Sequence, residues 1–111
     1  MNSNACSVRD LQSRLAGDQP PLLIDVRRAK ALREAGARIG DAQWLDPALW
    51  LDWKDGLDSG RPLLLYCAHG REISQGLTAA LCAMGHQASY LEGGYAAWVA
   101  DGQPVRALAA T

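Results

Sequence analysis

Pro62-Leu63-Leu64-Leu65-Tyr66-Cys67-Ala68-His69-Gly70-Arg71-Glu72-Ile73-Ser74-Gln75-Gly76-Leu77-Thr78-Ala79-Ala80-Leu81 contains a change of period that decides the fold. Leu63 to Tyr66 is an unbroken apolar run opened by a proline, the pattern of a strand buried on both faces of a parallel sheet. From Ile73 the apolar residues fall at Ile73, Leu77, Leu81 and Met84, which predicts a helix with one apolar face. Only Ala68 to Glu72 separate the two patterns.

A loop that short, entering a helix, aims several unpaired backbone N–H groups at one point, with the positive end of the helix dipole behind them. Cys67 stands beside that point, and Gly70 lets the chain turn back without a Cβ penalty. Helix N-termini and neighbouring cations depress cysteine pKa values. Cys67 therefore reads as a nucleophile in an anion-stabilising cradle. The competing reading is a small hydrophobe closing a buried strand, and spacing alone leaves both open.

Working outward, 111 residues suffice for one domain with one core, 1–111. Apolar residues make up 49% and charged ones 21%, which is ordinary for a globular protein and argues against a disordered chain. Eleven basic and twelve acidic residues are interspersed and leave a net charge of -1, so no basic field for nucleic acid or an anionic membrane is expected. Apolar runs fall far short of the ~20 residues of a membrane span. The first residues lack the charged and apolar regions of a secretory signal, so the expected location is cytoplasmic. Three cysteines without a Cys-x-x-Cys pair fit a reducing compartment, and no zinc-ligand spacing occurs.

Along the chain, Ala5 to Ser7 reads as a short edge strand and Ser7 as the N-cap of a helix over Val8 to Ala16. Cys6 has no evident cation or helix terminus to activate it. Leu22 to Ile24 is a second buried strand, with Asp25 and Arg27 leaving its C-terminal end, where open α/β sheets place their crevices. Ala29 to Ala35 is a helix ended by Gly36, and Ala42 to Leu45 a short strand. Asp46-Pro47 opens a helix with Leu49, Trp50, Trp53 and Leu57 inward, and Asp58-Ser59-Gly60 is a turn. Trp44, Trp50 and Trp53 are expected to fill the core rather than to stack on a ligand. Ala88 to Leu91 is the last strand, Gly93-Gly94 a tight turn, and Tyr95 to Ala100 a closing helix with Trp98 inward. Strands alternating with helices predict a three-layer α/β domain with a mainly parallel sheet.

The run Cys67-Ala68-His69-Gly70-Arg71-Glu72 resembles the active-site loop of the rhodanese (thiosulfate sulfurtransferase) family. Leu22-Leu23-Ile24-Asp25-Val26-Arg27 resembles the family's strand ending in Asp-Val-Arg, and Arg38-Ile39-Gly40-Asp41-Ala42 is a loose version of its His-Ile-Pro-Gly-Ala segment. Leu91-Glu92-Gly93-Gly94-Tyr95-Ala96-Ala97-Trp98, followed by Gly102-Gln103-Pro104-Val105, resembles its C-terminal signature. The resemblance implies five strands between two helical layers. It further implies that Cys67 attacks a sulfane sulfur, that the loop from Ala68 through His69, Gly70, Arg71 and Glu72 to Ile73 stabilises the thiolate and its persulfide, and that Asp25 braces the loop while Arg27 holds the neighbouring segment.

No cofactor and no metal is implied. The implied partners are a small sulfur donor and acceptor (thiosulfate, cyanide or thiols) or a persulfide-carrying protein, acting on a monomer or weak dimer. In relatives an acidic residue of the helix after Arg27 often pairs with that arginine, and only Glu34 is on offer here. At Glu72 many relatives carry a cation. A carboxylate ~8 Å from the thiolate at an effective dielectric of ~20 disfavours it by roughly 2 kcal/mol, about 1.5 pKa units, unless Arg71 and a protonated His69 turn inward. Two other readings stand beside sulfur transfer. One is a non-catalytic rhodanese-like binding or regulatory module. The other is a phosphatase or arsenate reductase of the Cys-x5-Arg type, whose arginine position is held here by Ile73.

Overall fold

The computed structural model describes residues 4–58 and 60–108. Strand β1 (Ala5–Cys6) leads into helix α1 (Val8–Leu15), β2 (Leu22–Asp25), α2 (Ala29–Ala35), β3 (Ala37–Arg38) and β4 (Gln43–Trp44). A 3-10 turn (Pro47–Leu49), α3 (Trp50–Trp53) and a second 3-10 turn (Lys54–Gly56) precede β5 (Leu63–Tyr66), α4 (Glu72–Ala83), β6 (Ala88–Leu91), α5 (Gly94–Ala100) and β7 (Arg106–Ala107). Five strands form one sheet in the order β1-β6-β5-β2-β4, with every pair parallel.

The strand period of two sorts this sheet into two cores. Leu23, Leu64, Tyr66 and Leu91 pack with Leu11 of α1 and Trp98 of α5 on one face. Ile24, Leu63, Leu65 and Ala88 pack on the other with Leu81 of α4 and, at the margin, Trp50, Trp53 and Leu57. Both faces are covered, giving the expected three layers. Leu63, Leu64, Leu65 and Tyr66 are all fully buried, which is why the central strand reads as a continuous apolar run.

Local signals act where the residues put them. The Ser7 hydroxyl accepts from Asp10 N–H at 3.0 Å and caps α1. Gly36 closes α2 in the left-handed conformation, φ 67°. Asp46 accepts from Ala48 N–H and Asp58 from Gly60 N–H, both as expected; Ser59, in the same turn, lies outside the described residues.

The structure corrects three expectations. The segment after Asp46 is a 3-10/α/3-10 succession, not one helix, and the tighter first turn swings Leu49 outward to 53% exposure. Trp50, Trp53 and Leu57 still face the sheet, and Trp53 Nε1–H is fixed to Asp46 O at 2.8 Å. In α4 the fully buried residues are Ser74, Thr78 and Leu81; Ile73 and Leu77 are half-buried and Met84 is exposed. The helix is thus rotated from its most apolar face, so that Ser74 meets the end of β5. Finally, β3 and β7 form a two-stranded antiparallel ribbon that was not expected, because two-residue strands carry no period. Its cross-strand neighbourhood includes an ion pair between Arg106 and Asp41.

Candidate active site

Cys67 follows the last residue of β5 and is 5% exposed. One residue on from Tyr66, it falls on the α4 side of the sheet. Its Sγ lies 3.1 Å from Ser74 Oγ, and the backbone N–H groups of Ser74, Arg71 and His69 favour its ionised form. Burial works against ionisation, but the Ser74 hydroxyl and the three N–H groups outweigh it. The thiol pKa is lowered from its ordinary value of 9.0. The expected donors were those from Ala68 to Ile73; those that reach the sulfur are His69, Arg71 and, beyond that segment, Ser74.

The loop is held from behind by α5. Tyr95 N–H donates to Cys67 O at 2.9 Å and Ala96 N–H to Ala68 O at 3.0 Å, while Gln75 Nε2 of α4 donates to Gly70 O at 2.9 Å. Two glycines make the contact possible. At Gly70, φ 67°, a Cβ would lie 2.6 Å from Leu91 O, and at Gly94, φ 62°, it would lie 2.5 Å from Gly70 N. Gly93-Gly94 is therefore more than the expected turn: it lets one backbone lie directly on the other.

In register, Asp25 stands beside Tyr66 on the opposite face of the sheet from Cys67. Its carboxylate accepts from Arg27 N–H and Nε at 3.0 Å, from Arg27 Nη2 at 2.6 Å, and from the Tyr66 hydroxyl at 3.1 Å. Asp25 thus braces Arg27 and Tyr66 and reaches the loop only through Tyr66, since the period of two sends it away from Cys67. Arg27 Nη2 donates to Ala37 O at 2.7 Å. Its guanidinium lies 4.2 Å from the Tyr95 ring centroid and 5.5 Å from that of Tyr66. Burial opposes that charge, but Asp25 outweighs it and raises the Arg27 pKa above its ordinary value. Burial and the Asp25 carboxylate also push the Tyr66 hydroxyl up, so it remains a donor. Glu34 is exposed and takes no part.

A cavity of about 260 Å³ opens at Cys67, lined by Arg27, Arg28, Ala31, Ala68, His69, Arg71, Glu72 and Ile73. Three arginines and one carboxylate line it; Arg27 is already paired with Asp25, and Arg28 is an addition that the sequence did not single out. His69, Arg71 and Glu72 are exposed at the rim. A second cavity, about 280 Å³, shares Arg28, Glu72 and Ile73 and continues toward Pro47, Ala48 and Leu77. Ile73 is half-buried, so no arginine clamp stands at that position.

Cys6, by contrast, is 4% exposed in the other core. A cation does approach it, with Arg14 Nη1 3.9 Å from its sulfur, contrary to the sequence reading; burial nevertheless raises its pKa. Trp44 Nε1–H binds Arg27 O at 2.8 Å, and Trp50 and Trp53 pack edge to face, so none of the three lines the Cys67 cavity.

The rhodanese-like domain model matches residues 7–101. The chain belongs to this family. A rhodanese-related protein from Thermoplasma volcanium superposes with a TM-score of 0.81 at 22% identity, covering 92% of this chain and 96% of the other. A rhodanese-like domain protein from Staphylococcus aureus gives 0.76 at 24%, covering 86% and 90%. A protein of unknown function from Rhodopseudomonas palustris, described as a possible tyrosine phosphatase, gives 0.79 at 19%, covering 93% and 84%. At these identities the likeness shows the rhodanese-like fold. No curated protein matches the chain. Among the described residues, no helix is long and apolar enough to cross a membrane.

Proposed function

We propose that this rhodanese-like domain is a sulfurtransferase that carries a sulfane sulfur as a Cys67 persulfide. The observation that carries the reading is the convergence of a hydroxyl and three N–H groups on one sulfur at the mouth of an open cavity. Fixed donors of this kind favour an anion at a defined position, here the Cys67 thiolate that attacks the donor and is released again on discharge. Loading forms a bond from Cys67 Sγ to the outer sulfur of the donor and breaks the donor's S–S bond, whose electron pair leaves with sulfite or a thiolate. Discharge passes that sulfur to cyanide or a thiol and returns the pair to Sγ.

Arg28 and Arg71 at the cavity favour an anionic donor, the Arg27 charge being already paired with Asp25, and the adjoining cavity gives room for a donor longer than thiosulfate. Thiosulfate, a low-molecular-weight persulfide and a persulfidated protein are the donors of choice, and a reducing, cytoplasmic setting suits the three free cysteines. The domain acts as a monomer or weak dimer in this reading.

Turnover tests it. Thiosulfate or a persulfide with cyanide is expected to give thiocyanate in the wild type and none in Cys67→Ala. Absence of turnover with every donor leaves a binding module, and phosphate release from an aryl phosphate, lost in Cys67→Ser, replaces the reading with a phosphatase.

A further inference from the structure

Helix α4 turns two hydroxyls toward the sheet, those of Ser74, fully buried, and Thr78, 1% exposed. Thr78 Oγ1 has no hydrogen-bond partner, whereas Ser74 Oγ lies 3.1 Å from Cys67 Sγ. Between a thiol and a hydroxyl either group donates. A thiolate only accepts, so ionisation of Cys67 makes Ser74 the donor, its O–H directed at the sulfur. Ser74 is the third residue of α4, and its hydroxyl meets the sulfur seven residues upstream.

We propose that Ser74 is a catalytic residue for discharge of the persulfide, stabilising Cys67 Sγ as the leaving thiolate when sulfur passes to the acceptor. This deepens, and rests on, the sulfurtransferase reading. During loading, the thiolate electron pair forms the Sγ–S bond while the donor's S–S bond breaks. The negative charge then sits on the terminal sulfur, beyond the atom at which the Ser74 O–H is aimed. During discharge the acceptor anion attacks that terminal sulfur, a bond from acceptor to sulfur forms, the Sγ–S bond breaks, and its pair returns to Sγ. The charge reappears where the hydroxyl waits. In thiol exchange a lower-pKa sulfur leaves faster but attacks more weakly. The same hydrogen bond therefore speeds discharge and, once Cys67 is fully ionised, slightly slows loading.

Single-turnover loading and discharge across the thiol titration, in the full chain, separate this from a structural role. Ser74→Ala is expected to slow discharge about tenfold at every pH, in keeping with loss of a hydrogen bond to a charged group. Loading in Ser74→Ala should be slower at every pH below the variant's own raised thiol titration and equal or faster above it. Alkylation by iodoacetamide, which needs no sulfur transfer, should show its midpoint raised. Ser74→Thr restores the hydroxyl and should recover discharge, and Thr78→Ala, one turn along, should change neither half-reaction. Equal losses in loading and discharge at all pH, or an unmoved alkylation midpoint, overturn the proposal. A raised midpoint in a protein that accepts no sulfur from any donor overturns the sulfurtransferase reading and the discharge role with it, while the hydrogen bond itself stands.

Discussion

The Tyr66 hydroxyl donates to Asp25 Oδ2 at 3.1 Å and accepts the Ile39 N–H at 3.0 Å, so the residue just before Cys67 ties the buried ion pair to the segment across the sheet. Tyr66→Phe removes both bonds and leaves Ile39 N–H unpaired. A loss of about 1–3 kcal/mol in urea unfolding is expected. Asp25→Ala strands the Arg27 charge in the interior and is expected to cost more, about 3–5 kcal/mol. Equal stability of wild type and Asp25→Ala would show that the pair carries no such role.

Gly94→Ala places a methyl against Gly70 N and strains a left-handed residue. The active-site loop must move away from α5, taking the His69 and Arg71 N–H groups off the sulfur. A destabilisation of about 1–3 kcal/mol, together with an alkylation midpoint shifted back toward that of a free thiol, is the expected outcome. A variant with wild-type reactivity would show that the backbone contact does not shape the cradle.

Glu72 lines the cavity among Arg27, Arg28 and Arg71 but is itself exposed, so solvent screens it. Glu72→Arg is expected to raise kcat/KM for thiosulfate by about three- to tenfold at low salt, the gain shrinking as ionic strength rises. An unchanged or lower kcat/KM would mean that this carboxylate does not oppose the anionic donor.

The lowered Cys67 pKa fixes how stability follows pH. A depressed acid contributes stability that is present above its unfolded pKa and is lost as pH falls through the folded pKa. The unfolding free energy of the wild type, less that of Cys67→Ser, should therefore grow with rising pH up to the ordinary thiol value of 9.0 and level off above it. A difference that is flat or falls across that window contradicts the assignment of a stabilised thiolate.

The central strand, the cysteine at its end and the cap residues were legible because each is encoded locally. Leu63 to Tyr66 is buried on both faces and reads as one apolar run, and Ser7, Gly36 and Asp46 act within a few residues of themselves. Ser74 was not legible as a site residue. Its neighbours Ile73 and Leu77 have the stronger apolar signal, and only the tertiary rotation of α4 turns the hydroxyl to the sulfur. Arg28 escaped notice for the same reason, since α2 buries no residue and gives no period to orient it. The contact of Gly70 with Gly93 and Gly94 joins segments distant in sequence, and two adjacent glycines read equally well as a simple turn. The short β3–β7 ribbon lies below the length at which alternation is visible.

The central claim is that Cys67 becomes the sulfur carrier. Peptide mass spectrometry of the protein after incubation with thiosulfate or a persulfide, without reductant, tests it directly. The account predicts one added sulfur atom on the peptide containing Cys67, removed by cyanide as thiocyanate. An unmodified Cys67 with every donor, or a sulfur found instead on Cys6 or Cys82, would contradict it.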